Sequence, residues 1–312
     1  MAKPALLLWT PNMGAMVGSA LEERFDLIRL WEAEDADAAI DARAADIVAT
    51  LTIKEPIGAA LLDRLPNLRV IAVPGAGYEG VDVAAARARG IVVANAGDTH
   101  SGDVADQAVA LALASLQRLF EMDAWTRADR WRREGLPPRR RSLASERFGI
   151  VGLGYIGAAI ATRLAPFGGD VAWWAPRDKE APWPRLPSLL ALAQWCTTLI
   201  VAARGDATGL IDADVIAAVG SDGLIVNIAR GAVIDEDALI AALKEGRLGR
   251  AALDVFAEEP TPPARWEGVP NVILAPHVGG LTNEAMARLR DAAIHNLLTA
   301  LDGGPVVNEI FA

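Results

Sequence analysis

The sequence has a single cysteine, no long hydrophobic run and an excess of negative charge. Cys196 is alone among 312 residues, so no internal disulfide can form and a secreted disulfide scaffold is excluded. The net charge of −10 would repel nucleic acids and anionic membranes. The first apolar run, residues 5–9, is too short for a signal sequence or an anchor, and no other stretch reaches membrane-spanning length without charges. We therefore expect a cytoplasmic protein that binds neither nucleic acid nor membrane.

Metal-ligand spacing is also lacking, because no grouping of His, Cys and Asp residues has it, and we expect no metal. Residues 127–147 are the exception to the acidic composition, with eight arginines around Gly135-Leu136-Pro137-Pro138. We interpret this segment as an arm that is solvated or contacts another subunit; a binding patch is the less favoured alternative.

The chain is long enough for two domains, and 52% of its residues are hydrophobic, enough for two cores. Its first hundred residues alternate short apolar runs with helical stretches, which indicates a parallel sheet. Gly75, Ala76 and Gly77 follow one predicted strand directly. Such a loop can hold a carboxylate through its N–H groups, although alone it is more often only a tight turn.

Residues 101–120 predict one long helix that is apolar on nearly every face. A second series of alternating strands and helices starts at residue 148, with further strands starting at 171, 198, 224, 251 and 272. Asp235 is placed to cap a helix over 236–245, which Gly246 would end. A last helix over 283–301 is expected to return to the first domain.

The stretch FGIVGLGYIG places glycines at the three positions of a dinucleotide fingerprint, between a strand and a helix. Gly152 permits the tight turn, Gly154 lets the pyrophosphate approach the backbone, and Gly157 lets helix and strand touch. The N-terminus of the helix, predicted over 158–164, then faces the phosphates. Alone the motif is weak, since a methyltransferase loop or a plain strand-to-helix turn looks similar.

An NAD enzyme would place an acid at the end of the next strand to hold the ribose hydroxyls, but Ala175 stands there in WWAPRD. Arg177 could pair with a 2′-phosphate, which a carboxylate would have repelled. This favours NADP(H), with NAD(H) still possible. The alternatives are that Asp178 reaches back to the ribose or that Arg177 is merely solvated.

Three polar side chains follow later predicted strands: Arg230 in NIARG, Glu259 in DVFAEEP and His277 in APHVGG. Since ligands gather beyond the carboxyl ends of the strands in such sheets, we expect the three to cluster. A ketone that accepts a hydride needs a proton donor and a fixed positive group. His277 can donate the proton and Arg230 can clamp the substrate, while a carboxylate at Glu259 favours the protonated imidazole and orients the ring.

These motifs resemble the D-isomer-specific 2-hydroxyacid dehydrogenase family across nearly the whole chain, and within it the glyoxylate/hydroxypyruvate and phenylpyruvate reductases. The matching stretches are GLGYIG at 152–157, NIARG at 227–231, ALDVFAEEP at 252–260 and PHVGG at 276–280, with DVADQA at 103–108 matching the family's interdomain helix. The segment 203–208 departs from the family, because it lacks a proline often seen there and looks shortened, and Tyr155 occupies a variable position of the fingerprint.

The resemblance implies an α/β fold of two Rossmann-like, doubly wound parallel-sheet domains with an active-site cleft between them. Residues 1–98 and 282–312 would form the substrate-binding domain and 99–281 the dinucleotide-binding domain. It also implies that Arg230 is the substrate clamp, that Glu259 and His277 are the acid–base pair, and that the chain is a homodimer. The predicted substrate-binding residues are Gly75, Ala76, Gly77, Arg230 and His277. The predicted cofactor-binding residues are Gly152, Gly154, Tyr155, Ile156, Gly157, Arg177, Ala229, Asp254 (near the nicotinamide carboxamide) and Gly279.

The predicted reaction is NAD(P)H-dependent reduction of a small 2-keto acid, such as glyoxylate, hydroxypyruvate or a phenylpyruvate-like compound, to the D-2-hydroxy acid. Two alternatives stay open: oxidation of phosphite on the same fold, and a nucleotide-sensing binding protein similar to the corepressors built on it.

Overall fold

The computed structural model describes residues 3–203 and 207–311. The chain forms two compact units: unit 1 is Met1–His100 with Asn283–Ala312, and unit 2 is Ser101–Thr282. Each unit has a parallel sheet with helices on both faces, so the predicted fold class is confirmed.

The sheet of unit 1 has five parallel strands in the order β2-β1-β3-β4-β5. They are β1 (Ala5–Leu8), β2 (Asp26–Arg29), β3 (Ile47–Leu51), β4 (Val70–Val73) and β5 (Val92–Asn95). The helices are α1 (Pro11–Leu21), α2 (Ala36–Arg43), α3 (Ala59–Arg64), α4 (Val83–Ala88) and the C-terminal helix Asn283–Leu301. Successive side chains of a strand point to opposite faces, so Leu6 and Leu8 pack with α1 and the C-terminal helix while Ala5 and Leu7 pack on the other side.

The sheet of unit 2 has six parallel strands in the order β11-β10-β9-β8-β6-β7. They are β6 (Arg147–Val151), β7 (Asp170–Trp174), β8 (Thr198–Val201), β9 (Leu224–Asn227), β10 (Arg250–Leu253) and β11 (Val272–Leu274). The helices are α5 (Ser101–Leu116), α6 (Leu119–Arg127), α7 (Arg130–Glu134), α8 (Tyr155–Leu164), α9 (Leu189–Trp195), α10 (Ala213–Val219) and α11 (Glu236–Lys244). Helices α5 and α8 cover one face and α9, α10 and α11 the other. The strand order reverses at β6, where such sheets bind their ligands.

The prediction of one helix over residues 101–120 is wrong. Helix α5 ends at Leu116, and α6 starts at Leu119 after Arg118 adopts a left-handed backbone with φ 52°. Asp106 lies on the exposed side of α5 and pairs with Arg163 of α8 at 2.6 Å. The predicted cap of α11 is confirmed, because the Asp235 carboxylate accepts a hydrogen bond from the Ala238 N–H at 2.9 Å.

Nearby acids pair with some of the arginines in the arginine-rich segment. Arg127 pairs with Asp123 at 2.8 Å and Arg130 with Glu134 at 2.7 Å, each one helical turn apart. Helices α6 and α7 bury no residue within the described chain. Exposed pairs of this kind contribute little to stability, so they shape the arm more than they stabilise it. In the part of the chain that the structure describes, every helix is too short or too polar to span a lipid bilayer.

Candidate functional site

The turn between β6 and α8 forms a cradle that needs glycine at positions 152 and 157. Gly152 has φ 88°, and a Cβ on it would lie 2.7 Å from the Ala202 carbonyl oxygen. A Cβ on Gly157 would overlap the carbonyl of Gly152, so helix and strand touch there as predicted. Gly154 is the last residue before α8, and Tyr155 and Ile156 form its first turn, where helical N–H groups have no partner within the helix. This end of α8 fits a pyrophosphate.

The segment after β7 holds the residues predicted to select the cofactor. The Ala175 carbonyl accepts a hydrogen bond from Arg185 at 2.9 Å, so the position that an acid would occupy is flanked by a guanidinium. Arg177 is exposed. The Asp178 carboxylate accepts from the Lys179 N–H at 2.8 Å, which ties it to the segment's own backbone.

The ends of β9, β10 and β11 bring the predicted chemical residues to one edge of the sheet. Arg230 follows β9, Asp254 follows β10 and His277 follows β11, and these three strands are neighbours in the order β11-β10-β9. All strands are parallel, so their carboxyl ends share an edge.

Glu259 and His277 form a direct pair. The imidazole Nδ1 lies 2.8 Å from Glu259 Oε2, and Glu259 Oε1 accepts from the Phe256 N–H at 3.2 Å. The His277 side chain is 41% exposed and that of Glu259 20%, so the ring is accessible while the carboxylate behind it is half-buried. With Nδ1 committed to the carboxylate, Nε2 is the nitrogen left for a ligand.

Asp254 fixes the backbone that carries His277. Its two carboxylate oxygens accept hydrogen bonds from Val278 N–H at 3.0 Å and Gly279 N–H at 2.8 Å. His277 has a left-handed φ of 54°, which is uncommon for a residue with a side chain, so the two bonds that follow it hold a disfavoured conformation. Burial raises the pKa of Asp254, and the two N–H donors offset only part of that rise.

Arg230 is held by the loop that precedes it. The Asn227 amide accepts from the Ala229 N–H and donates to the Arg230 carbonyl, both at 3.0 Å, and Arg230 Nη1 donates to the Ala229 carbonyl at 2.7 Å. A Cβ on Gly231 would overlap the Phe256 carbonyl. The loops that carry Arg230 and Glu259 therefore touch backbone to backbone.

The predicted carboxylate loop lies in unit 1, after β4. The Gly75 carbonyl accepts from the Ala96 N–H at 3.1 Å, and the Ala76 carbonyl accepts from the Asn95 amide at 2.7 Å. Both bonds use carbonyl oxygens, and neither uses an N–H group of Gly75, Ala76 or Gly77. The loop is thus fixed without spending the donors that a carboxylate would need.

Two earlier predictions, the shortened segment 203–208 and the absence of a metal, can be compared only with the described residues. Residues 204–206 of the shortened segment 203–208 lie outside the described residues. Across residues 3–203 and 207–311, no group of three or more His, Cys, Asp or Glu side chains is arranged to hold a metal ion.

Sequence reasoning did not find two side chains that support the site. Glu236 accepts from the Ala257 N–H at 3.0 Å and pairs with Arg265, which anchors the loop leading to Glu259. Gln107 of α5 hydrogen-bonds the Asp254 carboxylate. Glu236 looks like an ordinary acid in the first turn of a helix, so only its position in the fold shows its second contact.

A glycine cradle at the strand-order reversal, with an imidazole–carboxylate pair and an arginine at neighbouring strand ends, defines a nicotinamide-dependent oxidoreductase. Residues 109–279 match the family described as D-isomer specific 2-hydroxyacid dehydrogenase, NAD binding domain. The chain belongs to the D-isomer specific 2-hydroxyacid dehydrogenase family, whose members act on CH–OH donors with NAD(P). The resemblance seen in the motifs is thereby confirmed.

Three relatives illustrate the range of similar proteins. The chain is 41% identical over 241 residues to a 2-ketogluconate reductase of Gluconobacter oxydans, covering 76% of this chain and 77% of that one. It is 34% identical over 302 residues to a glyoxylate/hydroxypyruvate reductase of Arabidopsis thaliana, covering 96% of each. The structure of the NADPH-dependent glyoxylate/hydroxypyruvate reductase of Sinorhizobium meliloti with NADP and malonate superposes with a TM-score of 0.88 at 35% identity, covering 99% of this chain and 97% of that one.

Proposed function

We propose that this chain uses NADPH to reduce a small 2-keto acid to the D-2-hydroxy acid, with His277 and Glu259 as the acid–base pair. The observation that carries the proposal is the 2.8 Å contact between His277 Nδ1 and Glu259 Oε2, at the same sheet edge as Arg230. Such a pair works as one proton donor beside a fixed positive charge.

His277 supplies the proton. In the protonated ring Nδ1 donates to Glu259, and Nε2 carries the proton that passes to the carbonyl oxygen of the substrate. NADPH, when bound, would supply the hydride that the carbonyl carbon accepts. The oxygen thereby becomes a hydroxyl and the imidazole becomes neutral, while Glu259 keeps the ring in one orientation.

Arg230 stabilises the negative charge that develops on the carbonyl oxygen. Its backbone is extended, with φ −144° and ψ 151°, and the Asn227 amide accepts from the Ala229 N–H and donates to the Arg230 carbonyl. A guanidinium presents several N–H donors in one plane, so it binds a carbonyl and a neighbouring carboxylate at once. We assign carboxylate binding also to the N–H groups of Gly75, Ala76 and Gly77, since the loop is held through the carbonyls of Gly75 and Ala76.

The cofactor fits unit 2. The Gly152–Gly157 cradle leaves room for a pyrophosphate at the start of α8, with Gly154, Tyr155 and Ile156 supplying backbone. Ala229 and Gly279 lie at strand-end loops on the nicotinamide side, and Asp254 would act there through the Val278 and Gly279 backbone. Arg177 favours NADPH over NADH because Ala175 stands where an NAD enzyme would have an acid. The name of the Sinorhizobium meliloti relative states NADPH dependence for that enzyme.

The substrate candidates come from the predicted chemistry and from the relatives. Glyoxylate and hydroxypyruvate are named for two of the relatives and 2-ketogluconate for the third, and we add phenylpyruvate. A cytoplasmic location and a homodimer stay predictions.

The experiment is the loss of reduced-nicotinamide absorbance with purified protein, using NADPH or NADH against each of the four keto acids. We expect turnover that favours NADPH. His277→Ala should lower kcat by about 10²–10⁴-fold, the usual contribution of a general acid. His295→Ala, in the exposed histidine of the C-terminal helix, is the matched control and should leave kcat unchanged.

Three results would contradict the proposal. Turnover that survives His277→Ala would remove the acid–base assignment. NADPH binding without turnover of any keto acid would favour the sensing protein, and reduction of NADP by phosphite would favour phosphite oxidation.

A further inference from the structure

The chain between β7 and α9 turns back along the edge of the sheet. The Trp173 N–H donates to the Pro184 carbonyl at 3.0 Å and the Leu186 N–H donates to the Trp173 carbonyl at 2.8 Å. These bonds anchor the returning part, so the intervening residues form a loop beyond the end of β7. That loop contains Arg177 and Lys179.

Lys179 crosses from this loop to the glycine cradle. Its ammonium Nζ donates to the Leu153 carbonyl at 2.5 Å, and Leu153 lies between Gly152 and Gly154. An ammonium has three donors, so this contact leaves two for another acceptor. A carbonyl is neutral, so the bond positions the positive charge without cancelling it.

Among the described residues, neither carboxylate of this loop forms an ion pair with the Lys179 ammonium. Asp178 accepts from the backbone N–H of Lys179 at 2.8 Å and lies 3.8 Å from Arg185. Glu180 is exposed and follows Lys179 directly. Arg185 donates to the Ala175 carbonyl, so it is engaged with the backbone below the loop.

The position of the ammonium matches one part of the cofactor. Strands β6 and β7 are neighbours, and Lys179 joins the loop after β7 to the loop after β6. In dinucleotide-binding sheets the adenosine ribose lies between these two ends, with its 2′-oxygen toward the second strand. We propose that Lys179 is a specificity-determining residue, whose ammonium binds the 2′-phosphate of NADP(H) together with Arg177.

This inference rests on the proposed preference for NADPH and deepens it. A purely structural Lys179 would hold the glycine loop in place for either cofactor. A phosphate-binding Lys179 would act only on cofactors that carry the 2′-phosphate. The comparison of nucleotides that differ in this group alone separates the two roles.

The experiment is titration of the full-length protein with NADPH and NADH, followed by reduced-nicotinamide fluorescence, with 2′,5′-ADP and 5′-AMP as competitors. For Lys179→Met we expect about tenfold weaker binding of NADPH, as for the loss of a charge-assisted hydrogen bond. Competition by 2′,5′-ADP should weaken to a similar extent, while NADH and 5′-AMP change less than about twofold. Lys179→Arg should keep most of the NADPH affinity. Lys244→Met removes the same charge from the exposed end of α11 and should change nothing.

Equal losses for NADPH and NADH in Lys179→Met would show a structural role and overturn the inference. Unchanged affinities for both nucleotides in Lys179→Met would overturn it as well, although the wild-type preference for NADPH would stand. A wild-type protein that binds NADPH no better than NADH would overturn the cofactor preference itself and this inference with it.

Discussion

Two glycines of the cradle, Gly154 and Gly157, are expected to fail in different ways when each is replaced by alanine. A methyl group added at Gly157 would meet protein atoms, whereas one added at Gly154 would lie at the expected position of the pyrophosphate. Gly157→Ala should therefore destabilise the fold as well as weaken cofactor binding, whereas Gly154→Ala should weaken binding alone.

The cost at Gly157 follows from the close approach of helix and strand. A Cβ there would overlap the Gly152 carbonyl oxygen, with the Gly152 carbonyl carbon at 3.0 Å and Ile150 Cγ2 at 3.3 Å. The overlapping atom is backbone, so the helix must shift. Overpacking of this kind costs about 1–3 kcal/mol, and alanine recovers about 1 kcal/mol of helix propensity. We expect the upper end of the overpacking range and a net loss of about 2 kcal/mol.

For Gly154→Ala, the expected change in the free energy of unfolding is close to zero. Beyond its neighbours in the chain, no described heavy atom lies within 4 Å of a Cβ placed there, and its φ of −70° suits any residue. Alanine gains about 0.4–1 kcal/mol by restricting the unfolded chain and loses a similar amount as a poorer helix N-cap. The added methyl group, however, occupies the approach to the pyrophosphate.

Both variants are tested by urea unfolding without cofactor and by titration with NADPH. The expected pattern is that Gly154→Ala unfolds within about 1 kcal/mol of wild type and binds NADPH at least tenfold more weakly, about 1.4 kcal/mol. Gly157→Ala should lose both stability and binding. The reasoning is refuted if Gly154→Ala binds NADPH like wild type, or if it unfolds as readily as Gly157→Ala.

Three further predictions concern the rest of unit 2. Glu259→Gln should lower kcat by about 10–100-fold, at the weaker end of proton-transfer effects, and leave the Kd for NADPH unchanged. Turnover assays measure kcat and titration measures Kd; an equal fold-change in the two would contradict the acid–base role of Glu259. Gly231→Ala should cost about 3 kcal/mol in urea unfolding because its Cβ overlaps the Phe256 carbonyl, and a wild-type unfolding curve would argue against that contact. Burial raises the pKa of the Cys196 thiol from its ordinary 9.0 to about 12, so the thiol stays neutral near neutral pH; because the unfolded thiol ionises first, stability falls as the pH rises from 9.0 to about 12. A thiol reagent at neutral pH should label Cys196 in denaturant and not in the native protein.

The strands of unit 2 and the residues that follow them along the chain could be predicted because each strand has a clear pattern in the sequence. Strands β6, β8, β9 and β10 are largely buried apolar runs, and β6 is followed at once by Gly152 and β10 by Asp254. Parallel strands then bring Arg230 and His277 to one edge from the order alone. The family membership followed from the same short motifs.

Other features depended on tertiary contacts without a local signal. Strand β2 was missed because it is a four-residue edge strand that begins with Asp26, ends with Arg29 and is nowhere fully buried. The break at Arg118 was missed because no glycine or proline marks it. Lys179 lies in a loop rich in proline and charge, and its contact with Leu153 spans 26 residues, which periodicity cannot reveal.

The burial of Cys196 makes the protein a ready background for site-specific labelling. Its sulfur packs 3.2 Å from where a Cβ on Gly149 would stand, inside the core of unit 2. A cysteine introduced at exposed Glu23 in unit 1 and another at exposed Lys244 in unit 2 would be the reactive thiols, with no native residue to remove first. A donor and an acceptor dye at these positions would report the distance between the two units in single molecules as cofactor and keto acid are added.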